Sequence, residues 1–306
     1  MEKTVRRYVT IDLAKALFTM MIAVFHLWAH YEQRGLGGFI AVEFFFLVSG
    51  FFLMEQHDRS PRSRTPFQYT WSRVKKFYPH YIFSFLMLFL WRYSFQNHYG
   101  LAELGRKLTQ SATEISMLYG TILSDEKTVI LNSSTWYISI LLIVGYVLWA
   151  LLDRHEHALL TTAPVASFWI YAYMAYTLGT TNNWRTHVFG VLNYAALRAV
   201  AGMLLGAVCY RAHQGYRAWV EARRSPERTA WLSILAGAAV MLLAAAASYR
   251  WYRAACFFYI ACFALSTVLL TGGESALAKA DGKAGTDPVS PLGGGGGGGG
   301  YCLQST

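Results

Sequence analysis

The chain has 306 residues, 55% hydrophobic and only 14% charged, with 16% aromatic residues, a formal net charge of +10 and a mean hydropathy of +0.29. A water-soluble domain ordinarily carries about a quarter charged residues, so this composition excludes that class and fits a membrane protein. The basic residues fall in short segments between apolar runs, where they read as topology signals, and no nucleic-acid partner is expected.

Apolar runs predict membrane spans at 10–30, 39–56, 77–96, 136–152, 161–179, 189–210, 230–248 and 254–271. Each is close to the roughly 20 residues that a helix needs to cross hydrocarbon. The expected fold is therefore an all-α polytopic membrane protein with about eight transmembrane helices. With an intracellular N-terminus, the inner segments hold roughly twice as many Lys and Arg as the outer ones, which places both termini in the cytoplasm.

The first span carries Asp12, Lys15 and His26. It is too long, and too interrupted by polar residues, for a cleaved signal peptide. A plain anchor would not keep ionisable groups that each cost kilocalories at bilayer depth. Lys15 sits a turn or two inside the cytoplasmic face, and His26 lies about 16 Å further out. The second span reads "FIAVEFFFLVSGFF" and places Glu43 in its outer portion. Because residues 31–38 connect the spans tightly, His26 and Glu43 are expected at similar depth on antiparallel neighbours. An imidazole oriented by a carboxylate can take a proton from a hydroxyl, which makes them a candidate proton-transfer pair. Ser49 and Gly50 lie deeper. Gly50 reads as a close-packing residue, and Ser49 has no obvious base at its depth.

The segment "RSPRSRTPFQYTWSRVKKFYPHY" is the most basic in the chain. Most of its charge is explained as an inner loop. Arg73, Lys75 and Lys76, however, lead straight into the third span and could hold the phosphates of a cytoplasmic ligand. Residues 97–135 form a long outer segment. Its stretch "LAELGRKLTQSATEISMLYG" has helical apolar spacing and could lie along the membrane surface. Trp136 and Tyr137 stand where an interfacial aromatic belt is expected. Arg198 falls inside a span and needs a partner or a wet cavity, while Gly202 and Gly206 on the same helix form a small-xxx-small face. His98, His155, His157 and His187 are expected in solvated loops. The cysteines show no ligand spacing, so neither a disulfide framework nor a metal site is indicated.

Several of these stretches resemble the successive motifs of the membrane acyltransferase family 3. They are "IDLAKALFTMMIAVFH", "VEFFFLVSGFFL", "WSRVKKFYPHY", "STWYIS" and "LRAVAGMLLGAVCY", in that order. Lysine stands at position 15, where many members have arginine. The resemblance implies an integral membrane O-acyltransferase that moves an acyl group, commonly acetyl from acetyl-CoA, onto a hydroxyl of a bacterial surface carbohydrate or another envelope molecule. It also implies a multi-pass protein of the bacterial inner membrane. Carried over, His26 becomes the essential histidine and Glu43 its supporter, while Lys15, Arg73 and Lys76 face the donor's phosphates. No metal is implied. A transporter or flippase of an envelope precursor shares the spans and buried charges, but no inverted repeat stands out.

The family usually has about ten spans, whereas here the transmembrane domain is expected over 1–271 and a disordered tail over 272–306. Eight consecutive glycines followed by "YCLQST" suggest a slipped reading frame. An inactive truncated acyltransferase is therefore a further reading.

Overall fold

A computed structural model describes residues 7–32, 37–59, 64–119, 131–132, 135–182, 187–188, 192–250 and 255–280. The architecture is a helical bundle. Among the described residues, six helices are long and apolar enough to cross a membrane. Helix α1 spans Val9–Glu32, and α2 spans Ala41–Arg59 after a single 3-10 turn at Gly37–Ile40. Helix α3 spans Pro66–Phe89 and runs on through a π-helical turn at Leu90–Gln96. Two short helices follow, α4 over Leu101–Gln110 and α5 over Ala112–Ile115. The long helix α6 covers Trp136–Leu178. A two-residue strand pair, β1 (His187–Val188) with β2 (Leu192–Asn193), leads into α7 (Tyr194–Glu221), α8 (Pro226–Arg250) and α9 (Cys256–Ala280).

The spans expected at 136–152 and 161–179 are the two limbs of α6. His155 has non-helical backbone angles (φ −139°, ψ 41°) that break the helix between them. Contacts show that the chain doubles back there. Trp136 and Tyr171 both reach the Phe46–Glu43 level of α2, whereas Asp153, near the break, meets His57 at the opposite end of α2. His155 is therefore the corner of a helical hairpin rather than part of a loop. With α6 counted twice and α3 included, the bundle holds the expected eight helical limbs.

Helices α2 and α7 form the centre, and their backbones nearly touch. A Cβ on Gly50 would collide with the Met203 carbonyl, and one on Gly206 with the Leu47 carbonyl. The small-residue face expected around Gly202 and Gly206 thus lets α7 lie directly on α2. Aromatic side chains fill the space beside this seam, with Phe18 of α1 against Phe44 of α2 and Phe263 of α9 at ring distances of 4.4 and 4.9 Å.

Two boundaries differ from expectation. Helix α3 starts at Pro66, inside the segment expected as an inner loop. Thr65 and Gln68 form a reciprocal capping box, and Pro66 occupies the first turn, where its missing N–H costs nothing. Arg73, Lys75 and Lys76 therefore stand on a helix. At the other end, α9 continues to Ala280, past the domain boundary expected at 271/272. Its carboxylate Glu274 accepts hydrogen bonds from the N–H groups of Val9 and Thr10, at 2.7 and 3.2 Å, and from the Thr10 hydroxyl. A carboxylate on the open N–H groups of a helix start is favourable both as a cap and against the helix dipole. Those contacts hold the start of α1 to the last helix. The glycine run and the rest of the tail lie outside the described residues.

The end of the bundle that holds the α6 corner is laced with charge. Asp58 accepts from Tyr210 and Gln214, while Arg211 bridges Asp58 and Glu156, and Glu221 meets Arg217 and Lys279. At the far end, the segment expected to be partly helical folds as α4 and α5 and then tucks inward. Met117, with φ +57°, turns the chain so that Tyr119 enters the core. Glu114 is fully buried and accepts from the N–H groups of Leu131 and Asn132, each at 3.0 Å. Burial pushes its carboxyl above the usual range, and the two N–H donors offset only part of that effect.

Because the folded value lies above the ordinary 4.5, the neutral acid is the form that the fold favours. Its stabilising contribution is complete below about pH 4.5 and is lost as pH rises through the raised value. We expect the wild-type melting temperature to fall across that window relative to Glu114→Gln, in detergent melts run from pH 4 to 8. Parallel curves for the two proteins would contradict this.

Candidate active site

The buried ionisable groups fall into two sets. The first surrounds Glu43 on α2. Its carboxylate accepts from Arg198 Nε of α7 at 2.6 Å and from the Tyr171 hydroxyl of α6 at 2.9 Å, and both charged side chains are at most 2% exposed. Arg198 also donates to the Phe39 carbonyl at 3.4 Å, and its guanidinium lies 5.3 Å above the centre of the Trp136 ring. Each charge is thus met on several sides, as a buried pair requires if its desolvation is to be offset. Trp136 and Tyr137 are consequently not interfacial anchors. Trp136 is buried beneath Arg198, and Tyr137 packs 4.8 Å from the Phe46 ring and hydrogen-bonds Ser49.

Glu43 and His26 are not brought together. Both carboxylate oxygens of Glu43 are engaged by Arg198 and Tyr171. Their depths differ because Phe44, next to Glu43, packs against Phe18, eight residues before His26, or about 12 Å along α1. The residues opposite His26 are instead those of the 3-10 turn, where Phe25 meets Phe39 at 6.1 Å. The turn adds length between the spans that a plain hairpin count misses. The Tyr171 contact carried no signal in the sequence. The Arg198 contact did, since an arginine and a glutamate that both fall inside spans are each other's natural partners.

The second set lies between α1 and α3. Lys15 forms an i,i+3 pair with Asp12 at 3.3 Å, and its ammonium lies 4.7 Å from the centre of the Phe52 ring on α2. Asp12 also accepts from Arg7 at 2.9 Å. Lys15 is within electrostatic reach of both Lys76 and Arg73. Arg73 stacks its guanidinium over Tyr69 at 5.1 Å, and Lys76 is exposed one turn further along α3. The three cations expected at the donor end therefore converge. Like charges gathered around one acidic side chain repel one another, and a polyanionic ligand would relieve that repulsion. His26 stands on the exposed side of α1. It is eleven residues from Lys15, close to three full turns, so the two share one stripe of the helix.

A family profile described as an acyltransferase domain matches residues 8–281, nearly all of the described bundle, and the chain belongs to the acyltransferase 3 family. It is an integral membrane acyltransferase by family and by its apolar helices. Comparison with curated proteins and with solved structures returned no match.

Removing one partner of a buried pair leaves an uncompensated charge. We therefore expect Glu43→Ala to destabilise the bundle by about 3–5 kcal/mol. Thermal unfolding in detergent checks this, and an unchanged melting temperature would show that Arg198 finds another partner.

Proposed function

We propose that this protein transfers an acyl group, most simply acetyl, from acyl-CoA to a hydroxyl of a cell-envelope carbohydrate. The observation that carries the reading is the arrangement on α1, with Lys15 in a cluster of three cations and His26 three turns along the same stripe. A donor held by its phosphates at Lys15, Arg73 and Lys76 would direct its thioester toward the His26 end. There the neutral imidazole takes the proton from the acceptor hydroxyl as its oxygen attacks the thioester carbonyl. The new O–C bond forms, the C–S bond breaks, and the proton passes on to the departing thiolate. The products are an ester and free coenzyme A.

This reading places the N-terminus and the cation cluster at the cytoplasmic face of a bacterial inner membrane, with His26 toward the outside. The lysine and arginine bias of the sequence supports that direction. Glu43 acts at a distance, by holding α2, α6 and α7 in place, rather than as the orienting carboxylate of His26. Membrane lipid is the surrounding solvent, and no metal takes part.

His26→Ala should reduce acyl transfer by at least about 100-fold, the lower range for loss of a general base, without changing the affinity for CoA. Lys76→Ala should instead raise KM for acyl-CoA about tenfold, the low end for a charged hydrogen bond. CoA release from membranes and the mass of envelope glycans read both outcomes. If glycans from wild-type, His26→Ala and deletion strains have identical masses, the reading fails.

A further inference from the structure

Beside the cation cluster, α3, Glu114 of α5, Asn132 and the start of α6 line a cavity of about 380 Å³. Its walls include two adjacent rows of α3 side chains. One row is Lys76, His80 and Ser84, and the other is Phe77, Tyr81 and Phe85. Each row steps by four residues, so each runs about 12 Å along the helix axis. One wall of the cavity is thus polar and its neighbour apolar, and both begin at Lys76.

The remaining polar groups around the cavity are already engaged. The Glu114 oxygens accept from the backbone N–H groups of Leu131 and Asn132, the Tyr81 hydroxyl donates to the Glu114 carbonyl at 2.6 Å, and Thr135 donates to the Asn132 carbonyl at 2.7 Å. These bonds fix the walls. No side-chain hydrogen bond joins Lys76, His80 or Ser84 to another described residue, so the polar row is available to an occupant.

Building on the acyl-CoA reading, we propose that this cavity receives the thiol arm of coenzyme A, with Lys76 at the junction between its phosphates and its chain. The arm is a linear chain in which two amides and a hydroxyl alternate with methylene and geminal dimethyl groups. An apolar row of Phe77, Tyr81 and Phe85 suits the hydrocarbon, and His80 and Ser84 offer hydrogen bonds to the amides. Lys76 belongs to both sites. An arm laid along α3 from that point advances away from the cations, toward the end of the bundle where His26 stands on α1. His80 and Ser84 are then residues that position the donor, and nothing in the family motifs assigned them a role.

The test separates the two halves of the donor, using purified full-length protein in detergent and binding calorimetry. Coenzyme A probes the phosphates plus the arm, and adenosine 3′,5′-bisphosphate probes the nucleotide end alone. Ser84→Trp, which fills the cavity, should weaken coenzyme A binding at least tenfold and leave bisphosphate binding at the wild-type level. The retained bisphosphate affinity also shows that the variant is folded. Unchanged coenzyme A affinity would overturn the proposal. So would an equal loss of both probes, because the effect would then lie in the phosphate cluster. A wild type that binds neither probe would sink the acyl-CoA reading itself, and the cavity assignment with it.

Discussion

The bundle depends on one buried ion pair. Glu43 and Arg198 lie on the two helices whose backbones come into contact, and neither charge could remain there without the other. Their partners extend the constraint. Tyr171 ties in the second limb of α6, and Trp136 ties in the first through its ring face. Three helices, one of them doubled, are thus registered against one another at a single level of the membrane. The glycines at 50 and 206 are the steric counterpart of the pair, since any side chain there would push α7 off α2. Polar registration of this kind is expensive to bury and therefore specific, because a slipped register would strand two charges.

That clamp sets the buried, fully paired charges apart from the accessible ones. Lys15, Arg73 and Lys76 are not satisfied in the same way. Lys15 shares Asp12 with Arg7 while facing two further cations, and Lys76 is exposed. Such an arrangement is stable only where water or an anionic ligand reaches it. His26 is likewise exposed, on α1 to one side of the buried Ile11, Ala14 and Phe18. Rigidity sits at the α2–α7 seam, and accessible ionisable groups sit on α1 and α3. The proposed transfer, which must admit two substrates, calls for such a division.

Much of this could be read from the sequence, and the failures have physical causes. The spans could be read because hydrocarbon imposes a length on every helix, and even the two limbs of α6 were separable without sight of the corner at His155. The motifs that mark the acyltransferase 3 family could be read as well. The pairing of Glu43 with His26 does not hold, because a 3-10 turn of four residues offsets the register between α1 and α2, whereas its pairing with Arg198 had a signal in two opposite charges inside spans. The start of α3 differs from expectation although "TPFQ" carries both a capping box and a first-turn proline, because the basic charge around it reads as a loop. The end of α9 was missed because Gly272 and Gly273 look like loop residues. In the fold they are contact points, Gly272 lying against the Tyr216 ring and Gly273 against the Ala230 carbonyl.

The proposed transfer gives Glu43 to the fold and His26 to the chemistry. The most direct measurement compares acyl transfer by a Glu43→Gln/Arg198→Met double variant with transfer by His26→Ala, both first shown to be folded by thermal melting. Removing both charges together avoids the stranded partner, so the double variant should fold and retain transfer well above that of His26→Ala, which falls by at least about 100-fold. A folded double variant as inactive as His26→Ala would return Glu43 to the reaction itself.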